Sequence, residues 1–160
     1  MNGELLVSPA PEPPHQDAVL ALAKILSPFI RSNRLGYLSI APADIQLDTR
    51  TLIQPDLFVF EGPPGRRARS WSEIGRLLLT VEVLSPESAR YDRHVKRIRY
   101  QRQGIPEYWI VDLDARLFER WRPEDGRPEV LAESLVWVPH PDVRGFRLDL
   151  RDYFVEVFGS

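Results

Sequence analysis

The sequence predicts a mixed α/β fold of the α+β kind, a mixed sheet with helices packed against it. Three observations predict it: an amphipathic repeat near the start, short apolar runs bounded by proline and glycine, and a second helical pattern between two apolar runs of strand length. A chain of 160 residues fits one domain over 1–160, because domains commonly run about 100 to 150 residues and a second core would be cramped.

Pro9 to Pro14 reads as an extended arm, taken to residue 16, since proline fixes its own φ and lacks a donor. Val19, Leu22, Ala23, Leu26 and Ile30 recur at spacings of three and four, which predicts a helix from about Asp17 to Arg31. Asp17 is its expected N-cap, and Pro28 falls in its last turn. Gly36 to Ile40, Ala43 to Leu47 and Asp56 to Phe60 read as three strands, punctuated by Pro42 and Pro55. Glu61 to Ser70, rich in turn formers and arginine, predicts an exposed loop whose Arg66 and Arg67 are candidates for phosphate contact. Leu77 to Leu84 is nearly all apolar, as expected for a strand buried on both faces, and Ser85-Pro86 ends it.

A second helix should start between Pro86 and Asp92 and stop near Gly104, with Tyr91, Val95 and Ile98 on its apolar stripe. Tyr108 to Val111 then forms another central strand. Arg116 to Trp121, the turn Pro123 to Gly126, Val130-Leu131 and Ser134 to Val138 read as extra C-terminal hairpins closing the sheet. The core order is helix, three strands, helix, strand.

Composition narrows the function. The apolar share of 43% and charged share of 28% are those of an ordinary globular protein. The chain has no cysteine, which excludes disulfides, thiolate zinc sites and cysteine nucleophiles and suits a reducing cytoplasm. Its start lacks a secretion signal, and no window approaches the roughly 18 apolar residues of a membrane span; the expected location is cytoplasmic. The net charge of −2 argues against holding nucleic acid by bulk electrostatics, so any basic surface must be local. His15, His94 and His140 lack zinc spacing, and no nucleophile elbow or P-loop is present.

Glu82 is the most informative residue. Set among Leu79, Val81, Val83 and Leu84, its carboxylate loses hydration unless a cation, a partner or a proton compensates. An arginine partner is one solution; a metal ion is the other. Asp56, at the head of its strand, is depleted from strand positions and either caps a turn or acts as a second acid beside Glu82. Two acids at the mouths of adjacent strands give hard oxygen ligands for Mg²⁺, with Mn²⁺ also suited, and phosphodiester hydrolysis needs such an ion to polarise phosphate and activate water.

The second helix adds a cation. Asp92, Lys96, Tyr100 and Gln103 recur at spacings of four, four and three and share a polar face. Lys24 and Lys96 are the chain's two lysines among 21 basic residues, which favours a specific role for Lys96 over a solvated pair with Asp92. Arg90, Arg93, Arg97, Arg99 and Arg102 make this segment the local basic surface, with Arg93, Arg97 and Tyr100 as candidates for nucleic-acid contact.

Gln54-Pro55-Asp56, Glu82-Val83-Leu84-Ser85-Pro86, Asp92 with Lys96 and Tyr100, and Gly104-Ile105-Pro106-Glu107-Tyr108-Trp109 together resemble the Uma family of restriction-endonuclease-like bacterial proteins, within the PD-(D/E)XK nuclease superfamily. The resemblance extends from Ser8-Pro9 and His15 to Gly145-Phe146 and Leu148. It implies a restriction-endonuclease-like core and Mg²⁺-dependent cleavage, with Asp56 and Glu82 matching the metal-binding acids. The superfamily's lysine two residues after the second acid is here Leu84, so Lys96 would take its role from the helix. His15 matches a histidine of the family; a helix-start histidine making a local hydrogen bond is the reading favoured here, with Asp92 and Gln103 as further auxiliary residues.

The leading expectation is an endonuclease acting on DNA, RNA not being excluded. A nuclease-like fold that binds nucleic acid or protein without cutting is the alternative. A third is an assembly protein that dimerises through an exposed aromatic surface around Trp121 and Trp137.

Overall fold

The computed structural model describes residues 12–84 and 89–160, with side chains from residue 94 onward in the second stretch. The expected arm over 1–11, with Ser8-Pro9, and the stop at Ser85-Pro86 lie outside the described residues. Helix α1 spans Pro13–Ser32. It begins at Pro13, with Glu12 rather than Asp17 as N-cap, because proline suits the first helical position, where a missing N–H costs nothing. The arm therefore does not reach residue 16. Pro28 lies inside α1, which runs on to Ser32.

The strands are β1 (Tyr37–Ile40), β2 (Ile45–Gln46), β3 (Leu52–Ile53), β4 (Leu57–Phe60), β5 (Leu77–Val83), β6 (Tyr108–Asp112), β7 (Leu117–Trp121), β8 (Glu129–Leu131), β9 (Ser134–Trp137) and β10 (Phe146–Asp149). Helix α2 covers Ala89–Arg102 and α3 covers Leu150–Phe158. Among the described residues the main sheet runs β1-β4-β5-β6-β7-β8, so β1, β4 and β5 are the three strands between α1 and α2. The predicted strand at Ala43 to Leu47 shrinks to β2 and pairs with β3 outside that sheet. Strands β5 and β6 run parallel, and α2 is the crossover that a parallel pair requires.

The sheet has two buried faces. Leu57, Val59, Leu79, Val81, Val83, Trp109 and Val111 pack under α1 and α3 against Leu22, Leu26 and Phe154. Burying each such side chain contributes about 1.5–3 kcal/mol. On the other face Phe58, Phe60, Tyr108 and Ile110 meet Tyr100 and Ile105 at the end of α2. Gly104 ends that helix with φ 69, a left-handed conformation that favours glycine.

Two expectations for the C-terminal third need correction. Strand β9 pairs with β10 in a separate two-stranded sheet, and the chain ends in α3, not in a hairpin. The signal was present: Leu150, Tyr153, Phe154 and Val157 follow helical spacing, Asp149 caps the start through the Asp152 N–H, and Gly159 ends it at φ 78. Trp121 and Trp137 form no exposed aromatic surface, since they are 8% and 1% exposed. Trp137 is a core ring edge-on to Trp109 at 5.7 Å.

Candidate active site

Asp56 stands where the chain enters β4. Its N–H donates to the Val81 carbonyl at 3.1 Å, and its own carbonyl accepts from the Ala41 N–H at 3.0 Å, so the backbone is pinned on both sides. Leu57 pairs with Val81 in antiparallel register, and one further step brings Asp56 opposite Glu82. Directly opposed residues on antiparallel strands have β-carbons roughly 4.5–5.5 Å apart. The carboxylate of Asp56 is turned inward: Oδ2 accepts from the Val83 N–H at 2.8 Å and lies 3.4 Å from His15 Nε2. Both contacts fall on one oxygen.

Strand alternation puts Glu82 on the α2 face, beside Ile110 of β6. It is 5% exposed. Oε1 accepts from the Tyr100 hydroxyl at 2.6 Å, and Oε2 is 3.3 Å from Lys96 Nζ. Burial, reinforced by the negative charge of Asp56, pushes the Glu82 carboxyl up to about 8, against the opposing pull of Lys96 and Tyr100. The pKa of Tyr100 is raised by burial and by the same glutamate. His15 is raised above its ordinary value, chiefly by its hydrogen bond to Asp56 and against desolvation.

The structure thus brings together Asp56, Glu82, Lys96, Tyr100 and His15, from α1, β4, β5 and α2. His15 spans from the first turn of α1 to a distant acid and does more than make a local contact. Tyr100 is 1% exposed, so it is no platform for a nucleic-acid base. It holds Glu82 from below, a role that only a three-dimensional contact reveals.

Other candidates stand elsewhere. Arg66 is engaged at both guanidinium nitrogens by Glu73, each at 2.9 Å. Arg67 stacks over Tyr37 at 4.9 Å and Arg97 over Trp121 at 4.6 Å. Gln103 donates to Asp48 at 2.8 Å, away from the acids. Asp92 and Arg93 fall on α2, and their side chains lie outside the described residues. Among the described residues no group of three or more His, Cys, Asp or Glu side chains is disposed to hold a metal. No described helix is long and apolar enough to cross a membrane.

Fold and site together are a mixed α/β sheet with two opposed acids and a helix-borne lysine beside them. Residues 1–151 match the Uma2 family, described as "Putative restriction endonuclease", and the chain belongs to that family. Its fold is similar to the crystal structure of a protein from Anabaena variabilis ATCC 29413 described as a "putative nuclease belonging to DUF820". That likeness has a TM-score of 0.71 at 19% identity and covers 99% of this chain and 89% of the other. No curated protein matches the chain.

Proposed function

We propose that this protein is a Mg²⁺-dependent endonuclease that hydrolyses DNA phosphodiester bonds. The observation that carries the reading is the placement of Asp56 opposite Glu82, with the Lys96 ammonium 3.3 Å from the second acid. The donor set fits a hard cation, since Mg²⁺ takes one or two carboxylates and completes its shell with waters and phosphate oxygens. Asp56 Oδ1 has no partner among the described residues, and burial with the facing Asp56 raises the proton affinity of Glu82 despite Lys96, as expected of an acid that a further cation would stabilise. Mn²⁺ would serve as well.

When bound, the ion polarises the phosphoryl oxygen and lowers the pKa of a water ligand. The chain's own groups do the rest. His15 and the Val83 N–H hold Asp56 by one oxygen and leave the other available to a ligand. The Tyr100 hydroxyl donates to Glu82 and favours its ionised form, against the larger effect of burial. Lys96, with its side chain 29% exposed, can reach both Glu82 and solvent, so it can orient an attacking water or neutralise a phosphate oxygen. Cutting both strands would ask for two copies of the chain, hence a homodimer.

Purified protein should nick supercoiled plasmid DNA with Mg²⁺ and not with EDTA. Glu82→Gln should slow nicking by about 10³-fold, corresponding to the several kcal/mol a metal ion contributes. No cleavage of plasmid, single-stranded DNA or RNA by folded protein would sink the reading. The second reading is a fold that binds without cutting, favoured by the absence of a third metal-ligating side chain among the described residues. Calorimetric titration with Mn²⁺ separates the two, because that reading expects no binding that Glu82→Gln abolishes.

A further inference from the structure

A groove lies where the end of α1, the start of β1 and the loop after β4 meet. Ser27, Arg31, Arg34, Gly36, Tyr37 and Arg67 line it, and no acidic side chain does among the described residues. Some surface arginines have counter-ions: Arg66 has Glu73, Arg122 has Glu107 and Arg151 has Glu133. Arg31, Arg34 and Arg67 have no acidic partner among the described residues, in a chain whose net charge is −2. Three exposed guanidinium groups lining one groove make a local positive surface that an anion would complement.

The groove is also built to present them. Arg34 is held at φ 51, a left-handed conformation costly for a side chain with a Cβ. Arg67 is steadied over the Tyr37 ring. Gly36 lies flush with the sheet: a Cβ there would meet the Phe60 carbonyl oxygen at 2.2 Å, which keeps the floor open. The helix end does not oppose an anion with bare carbonyls, since those of Phe29, Ile30 and Arg31 accept from Asn33, Leu35 and Arg34.

The groove and the acids mark opposite ends of β1. Tyr37 pairs with Phe60, while Ala41, just past Ile40, donates to Asp56. Four strand steps are roughly 13 Å, and Arg31 lies sixteen residues along α1 from His15, roughly 24 Å at the rise of a helix. We propose that Arg31, Arg34 and Arg67 bind backbone phosphates of the nucleic acid, several nucleotides from the phosphate at Asp56 and Glu82. This rests on the nuclease reading for its substrate, and its contacts are sequence-independent.

The test is fluorescence anisotropy of a labelled DNA duplex in EDTA, read across a salt series so that no cleavage intervenes. The variants are R31A/R34G/R67A, with glycine chosen to suit the backbone at 34, and the control R147A/R151A, on the C-terminal elements. The triple variant should bind at least about tenfold more weakly and lose roughly 2–3 units of log–log salt slope, near 0.9 per phosphate contact. The control should stay within about twofold of the parent. If the triple variant melts early, Arg31→Gln and Arg67→Ala are read singly, each expected to lower the slope by about one unit. Equal affinity and slope in parent and groove variants, or no binding by the parent, overturns the proposal. Glu82→Gln keeps the two ideas apart: full binding without nicking leaves the groove standing whatever becomes of the metal site.

Discussion

Glu82 and Glu107 are both buried on the central sheet, at 5% and 7% exposure, and their surroundings could hardly differ more. Glu107 accepts from the Trp109 indole at 2.6 Å and from Arg120 Nε at 3.1 Å, with Arg122 Nε 3.3 Å from its other oxygen. Arg120 in turn reaches Glu129 at 3.2 Å and the Val136 carbonyl. That network joins β6, β7, β8 and β9 and satisfies both charges from within the fold. Glu82 has one hydroxyl and one ammonium, stands opposite another acid, and keeps a high proton affinity. One acid is neutralised by arginines from within the fold; the other, with a single ammonium and a facing acid, keeps a raised proton affinity.

The contrast can be broken at either end. The largest expected effect on stability is at Glu107, where Glu107→Gln removes the buried charge that faces Arg120 and Arg122 and leaves Arg120, at 4% exposure, with Glu129 and the Val136 carbonyl. Breaking a buried pair costs about 3–5 kcal/mol, which should lower Tm by about 10 °C in a thermal melt. Glu82→Gln, which replaces a buried acid of high proton affinity by a neutral group of the same shape, should leave Tm of the metal-free protein unchanged or raised. Equal losses at both sites would dissolve the distinction.

A smaller effect is a pH dependence. Because the Glu82 pKa is raised in the fold, its contribution is fully present below about 4.5 and is lost as pH rises through about 8. Metal-free protein should therefore lose stability across that window, and added Mg²⁺ should raise Tm more at pH 8.5 than at pH 6. Glu82→Gln should flatten both responses in parallel melts. Smaller again is Tyr100→Phe, which removes a hydrogen bond to the charged form and should shift the onset of Mn²⁺ binding upward by about one pH unit, or about 1.4 kcal/mol.

Much of this arrangement was legible in the residues. Glu82 stands out because a carboxylate within Leu77–Val83 is costly, and Asp56 because aspartate is rare at a strand head. The lysine was found by its rarity and by helical spacing from Asp92. Tyr100 and His15 were not legible in these roles, because their partners lie 18 and, by sequence number, 41 positions away and no local pattern encodes such contacts. Arg66 illustrates the opposite limit: a loop arginine looks available until Glu73 is folded against it. The helix α3 was legible in principle, with cap, period and stop all present, but at nine residues its amphipathic repeat is too short to stand out.

The parallel pairing of β5 with β6 carries a consequence for how such a site can change over generations. A crossover must connect them, and α2 fills that place with Lys96 and Tyr100, one turn apart, both reaching Glu82. A cation for the acid can therefore come from the helix at a position one turn from the tyrosine without redrawing the strands. The same architecture makes the site sensitive to length: one residue inserted into α2 ahead of Lys96 turns the helix by about 100° and swings the ammonium off its acid. Substitution is tolerated in this element where insertion is not.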